Sequence, residues 1–358
     1  MQKNILILLL LLVYTMNAND NITITKEVPL TLDSSLQKQV KAMTLEMKEE
    51  FKSKSISIAI MDSFTGELLS LTGSDCNTTK EFPKNSIANF SYEPGFIMAP
   101  FVFSLALEKH LITPFNLING HQGHYQFQGK TIIDAHKFDY VSAANVIVYS
   151  SSIGMVQIAQ KLTGKDYYHG LFSFGFTQQA TPDFTNENIG SIPDANNLTK
   201  AMASYGYGIK VNLLQLLKAY NLFNNNGKLV TPYIIVKGSR AESRKILSDK
   251  IVRDIRKILI ETVEKGTGIT ARIKGLEIGG KTGTAHITED GRYVKKYNCT
   301  FVGFVNNDKY RYTIAVLVQQ PKTSIYSSKT AAVVFKKAVD ILVSRYPLYC
   351  NAQLKDSK

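Results

Sequence analysis

Gly280-Lys281-Thr282-Gly283-Thr284 and Tyr92-Glu93-Pro94-Gly95-Phe96-Ile97-Met98-Ala99-Pro100 decide how this chain is read. The first stretch lies inside Leu276 to Ala285, the earliest of three successive strand signals. Cys299 to Val305 and Tyr312 to Val318 are the other two. The second stretch leads through Pro94-Gly95 into an apolar helix from Pro100 to His110.

Working outward, Ser328 to Ser344 closes the pattern as a last helix, and Gly266-Thr267-Gly268 ends a helix over Leu247 to Glu264. Leu213 to Asn226 is amphipathic and stops at Gly227, a C-cap glycine. Val141 to Leu162 reads as a long, mostly helical region around three serines. Near the start, Val28 to Asp33 alternates as a strand. Ser34 to Ser53 is helix-periodic, with Leu36, Val40, Met43 and Met47 on one face. Ser55 to Asp62 and Leu68 to Leu71 form a strand hairpin around Thr65-Gly66-Glu67. Strands and helices at both ends flank a mainly helical middle. This is an α+β pattern with one sheet of mixed connectivity, not a run of βαβ units.

The chain has 358 residues, of which 44% are hydrophobic and 20% charged, which excludes a disordered polymer. Lys3, the apolar run Ile5 to Val13 and the small residue Ala18 predict a signal peptide over residues 1–18 and export to a periplasmic or other extracytoplasmic space. An uncleaved N-terminal anchor is the lesser reading, since a span needs about 20 apolar residues. The formal net charge of +13 is dispersed, so it reads first as a basic solvated surface. In an exported protein, any partner for that charge is a wall polymer or membrane surface rather than nucleic acid. Scattered aromatics without a clustered motif agree that no nucleic-acid module is present. Cys76, Cys299 and Cys350 allow one disulfide with one cysteine left over. Asn77 sits in an N-x-T sequon, a triplet frequent in an Asn-rich chain. His121, His124 and His136 are closely spaced, but Asn119-Gly120 and Gly123 describe a loop, so no metal site is expected. Asp134 and Asp139 read as surface carboxylates rather than an acid–base pair.

These stretches, in this order and spacing, resemble the transpeptidase domain of class B penicillin-binding proteins, of the serine β-lactamase and penicillin-binding fold. Gly280 to Thr284 matches its K-T-G strand. Thr65 to Leu69 is similar to T-G-E-I-L, Tyr205 to Ile209 with Gln215-Leu216 to G-Y-G-I-x-V-T-P-L-Q-L, and Phe301 to Phe304 to F-x-G-F. The resemblance covers residues 28–347 as one domain and leaves no room for the pedestal domain that usually precedes it. It implies the family's α+β fold, with a mixed-connectivity antiparallel sheet flanked by helices and a mainly helical subdomain. It implies peptidoglycan stem peptide or cell-wall synthesis proteins as partners, and no cofactor.

The resemblance breaks at the chemistry. Where the family has E-P-G-S-x-x-K-P, Phe96 stands at the nucleophile position and Ala99 at the base position. Where it has S-S-N-V-G, Ser150-Ser151-Ser152-Ile153-Gly154 keeps Ser150 but replaces the asparagine with Ser152. Acyl transfer needs a nucleophile with a base in hydrogen-bond reach, and Phe96 and Ala99 supply neither. The expectation is a degenerate transpeptidase in which Lys281, Thr282, Gly283, Thr284 and Ser150 bind a peptide without acylation. The alternative is an active D,D-transpeptidase, carboxypeptidase or β-lactamase with a relocated serine, either Ser150 to Ser152 with Lys281 as base or the Ser35-x-x-Lys38 pair.

Overall fold

A computed structural model describes residues 29–74, 87–184, 186–194, 196–236, 242–307 and 309–346. Helix α1 (Ser34–Phe51) begins at Asp33, whose carboxylate accepts the backbone N–H groups of Ser35 and Leu36. The hairpin β1 (Ser55–Asp62) and β2 (Leu68–Gly73) follows. The middle of the chain holds a short 3₁₀ turn (Gly95–Met98), α2 (Ala99–Glu108), β3 (Leu117–Asn119), β4 (His124–Phe127), β5 (Lys130–Ile133) and β6 (Tyr140–Ser142). It continues through α3 (Ala143–Val148), α4 (Ser152–Gln160), α5 (Gly164–Ser173), α6 (Asn197–Ser204) and α7 (Leu213–Asn224). Strands β7 (Lys228–Val230) and β8 (Ser243–Lys245) and helix α8 (Asp249–Glu264) lead back to the sheet. There β9 (Glu277–Glu289), β10 (Arg292–Asn306) and β11 (Arg311–Gln319) precede α9 (Ala331–Arg345).

The main sheet runs β2-β1-β11-β10-β9 and is antiparallel at every pairing. Its strands are apolar on both faces because both faces are covered. Ile56, Ile58 and Ile60 of β1 and Ile314, Val316 and Val318 of β11 pack with α1 and α9. Ala59, Ala315, Leu317 and Phe304 join the larger core that includes α2, α4 and α7. The strand carrying Lys281 is therefore an edge strand, and the helical subdomain lies against the sheet beside it.

The α+β expectation holds, and three element boundaries move. Residues 29–33 are not a strand: Leu30 makes one isolated bridge to Ile235, and Asp33 is engaged as a helix cap. The region from Val141 to Leu162 is two helices, broken where Ser150 takes a φ of 60° and Ser151 caps α4 through the N–H of Gly154. The hairpin β9–β10 reaches far beyond Ala285. Asp290 and Gly291, both at positive φ, make its two-residue turn, and the polar tip has no buried face to betray it in sequence.

Candidate functional site

Three segments meet at the edge of the sheet. Strand β9 brings Lys281, Thr282, Gly283 and Thr284. The 3₁₀ turn brings Phe96, and its close seating on β9 explains Gly283, where a Cβ would stand 2.3 Å from the Pro94 carbonyl oxygen and 2.5 Å from Ile97 Cγ1. The α3–α4 junction brings Ser150 and Ser152. Tyr220, on α7, anchors the turn from behind by donating its hydroxyl to the Ile97 carbonyl at 2.8 Å.

Lys281 is completely buried. Its Nζ donates to Ser150 Oγ at 2.6 Å, to Thr267 Oγ1 at 3.2 Å and to Thr282 Oγ1 at 3.3 Å. Thr282 in turn donates to Thr267 Oγ1 at 2.9 Å. The Phe96 ring lies over the amine, 5.0 Å from nitrogen to centroid, a cation–π distance. Burial pulls the Lys281 pKa down from 10.5 to about 7, because desolvation penalises the ammonium. No carboxylate forms an ion pair with it among the described residues.

Beside this cluster lies a cleft of about 360 Å³. Phe96, Ser152 and Thr284 line it together with Tyr205, Tyr207 and Tyr293. Ile133, 63% exposed at the end of β5, stands at its rim. Thr284 Oγ1 lies 2.7 Å from Ser327 Oγ and accepts the Ser327 N–H at 3.2 Å. Glu93 ties two walls together, accepting the N–H of Gly208 at 2.9 Å and the hydroxyl of Tyr293 at 3.1 Å. Burial raises its pKa, against the lowering effect of those two bonds.

The residues singled out in sequence thus separate into two groups. Buried Lys281 and Thr282 form a polar cluster with the half-buried Ser150, whereas Ser152 and Thr284 line open space. Gly283 serves the contact between β9 and the 3₁₀ turn. Ala99 is fully buried at the start of α2, and Phe96 is 8% exposed. Neither position carries an atom that can attack a carbonyl or accept a proton. Ser35 is remote: it lies on α1, packed on the opposite face of the sheet, and its Oγ accepts from Arg345.

Asp134 corrects the surface reading. It is buried, and it anchors α4 by accepting the Ser151 hydroxyl and the N–H groups of Ser152 (2.7 Å) and Ile153 (3.3 Å). Asp139 is exposed and bound by Gln122, so the two carboxylates serve different contacts. His121 stacks on Tyr125, and His136 packs against Phe138 and Tyr149. Cys299 is buried, its Sγ donating to the Ile325 carbonyl at 3.1 Å. Cys76, Cys350, Asn77 and residues 1–18 lie outside the described residues. Sequence reasoning missed Ser327 and the tyrosines of the cleft. It noted Thr267 only as a glycine-flanked marker, although that flanking was the available signal for a threonine placed under Lys281.

Comparison with known proteins agrees with this fold. The penicillin binding protein transpeptidase domain model matches residues 56–340. The probable peptidoglycan D,D-transpeptidase PenA of Neisseria flavescens is 26% identical over 327 residues, covering 88% of this chain and 81% of that protein. The peptidoglycan D,D-transpeptidase FtsI of Escherichia coli K12 is 26% identical over 310 residues, covering 83% of this chain and 52% of that protein. The chain thus spans about half the length of FtsI, and 55% of the probable transpeptidase PbpC of Pseudomonas aeruginosa. Among solved structures, the transpeptidase domain of Burkholderia pseudomallei penicillin-binding protein 3 superposes with a TM-score of 0.83 at 30% identity, covering 90% of this chain and 98% of that one.

Proposed function

The chain belongs to the penicillin-binding protein transpeptidase domain family, and we propose that it serves peptidoglycan biogenesis as a non-acylating member. In this reading it is an exported protein that binds a stem peptide, or a wall-synthesis partner, at the edge of β9. The observation that carries the reading is the pair Phe96 and Ala99. Phe96, in the turn that packs on the lysine strand, and Ala99, at the start of α2, carry only an aromatic ring and a methyl group, and neither supports covalent catalysis.

The rest of the site supports binding. Strand β9 has β10 on one edge only, so its other edge offers backbone N–H and C=O groups to an extended peptide. Thr284 and Ser152 add hydroxyls, and the tyrosines add flat apolar walls. Lys281 lies beneath Phe96 and holds Ser150 and Thr282 in place through its amine. Export rests on the N-terminal Lys3, Ile5 to Val13 and Ala18 pattern. No helix among the described residues is long and apolar enough to cross a membrane.

Calorimetric titration with a synthetic stem peptide tests the proposal. The expected result is saturable, fully reversible binding that Thr284→Val weakens. Absence of heat at millimolar peptide, with the protein folded, overturns it.

A further inference from the structure

A second depression, separate from the cleft, lies where the end of α7 meets α8 and the start of β11. It encloses about 340 Å³. Asp249, Val252, Arg253 and Arg256 occur at i, i+3, i+4 and i+7 of α8, so one stripe of that helix faces it. Asn224, Asn226 and Arg311 close the opposite side, and the buried Phe223 backs it.

Three guanidinium groups therefore converge on one small space. Arg256 is largely committed: it pairs with Glu277, donates to Asn224 Oδ1 at 3.1 Å, and lies 4.9 Å from the Phe304 ring centroid. Burial holds it below the usual guanidinium range, with Arg311 adding to that effect and Glu277 opposing it. Arg311 is positioned by the Phe64 ring, 5.0 Å away, and donates one long bond of 3.4 Å to the Asn224 carbonyl. Arg253 is exposed and makes no hydrogen bond or ion pair among the described residues. The lining carboxylate, Asp249, is already paired with Lys245. Four cations thus face two carboxylates, and the unmet donors belong to Arg253 and Arg311.

Guanidinium forks match oxyanions two oxygens at a time. Two free forks with a third beneath them offer more donors than one carboxylate accepts, whereas a phosphate or diphosphate has oxygens for all. We propose that this pocket binds a phosphate-type anion, a phosphomonoester or diphosphate group, between Arg253 and Arg311 with Arg256 below. The volume is near the lower limit for small-molecule sites, which suits a headgroup or a compact phosphorylated metabolite. The proposal does not depend on how the cleft functions.

The test uses the exported full chain and two probes at constant ionic strength. Calorimetry with sodium pyrophosphate reads a free phosphate ligand, and co-sedimentation with phosphatidylglycerol vesicles, against phosphatidylcholine vesicles, reads a lipid headgroup. The expected result is saturable engagement of at least one probe, weakened roughly tenfold or more in Arg253→Gln and in Arg311→Gln, as loss of charge-assisted hydrogen bonds implies. Pyrophosphate binding identifies a free ligand, and arginine-dependent vesicle binding without it identifies a lipid. Arg253→Gln carries the test alone if Arg311→Gln unfolds, because Arg253 is exposed and makes no hydrogen bond or ion pair among the described residues. Failure of both probes, or equal binding by wild type and Arg253→Gln, overturns the proposal.

Discussion

Replacing Lys281 with methionine changes how stability depends on pH, and burial fixes the direction. The amine is fully buried, and desolvation lowers its pKa from 10.5 to about 7. Unfolding returns it to water and to its ordinary value. Between those values the unfolded chain holds a proton that the folded protein has released, so raising the pH stabilises the fold. This contribution is complete above the unfolded value, is lost as pH falls through the window, and is flat below the folded value. The slope is about 1.4 kcal/mol per pH unit. From about pH 7.5 to about pH 9.5, wild type therefore gains about 3 kcal/mol relative to Lys281→Met. The methionine variant remains folded, because Thr282 still donates to Thr267 at 2.9 Å and Ser150 lies 3.3 Å from Thr267 Oγ1. Urea unfolding of both proteins at matched pH gives the difference directly, and other titrating groups cancel in it. A difference that is flat across the window, or that falls with rising pH, refutes the sealed-amine reasoning.

Three other outcomes follow from named contacts. Phe96→Ala removes a ring that is 8% exposed and lies over Lys281, at an expected cost of about 3 kcal/mol; the same variant flattens the Lys281 pH slope by admitting water, and denaturant titration reads both. Gly283→Ala drives a Cβ to 2.3 Å from the Pro94 carbonyl oxygen and is expected to lose about 3 kcal/mol or fail to fold, judged by thermal unfolding. Asp134→Ala strips α4 of the carboxylate that holds Ser151, Ser152 and Ile153, with an expected loss of about 2 kcal/mol by denaturant titration.

Much of this was legible in the residues because the signals were local. The strand around Lys281, the hairpin at Thr65-Gly66-Glu67 and the amphipathic α7 are written in alternation, turn chemistry and helical period. The juxtaposition of Lys281 with Ser150 came from family resemblance, since 131 positions separate them and no periodicity links such distant residues. What stayed hidden depends on tertiary placement. Ser327 looks like any serine in a Ser-rich turn until Thr284 is 2.7 Å away. Asp134 reads as a surface carboxylate until the start of α4 is docked on it. The burial of Lys281 beneath Phe96 was also out of reach, because a lysine on an edge strand is ordinarily solvated. The division between a buried Lys281 amine and an open aromatic cleft is therefore a structural finding.

Intact mass after incubation with excess penicillin tests the central claim most directly, because an acyl-enzyme adds one drug mass whichever residue forms it. Phe96 and Ala99 predict an unchanged mass at saturating drug and long incubation. A stoichiometric single-adduct shift, mapped by peptide sequencing to Ser150, Ser152 or any other serine, would contradict the account and make this chain an acylating enzyme.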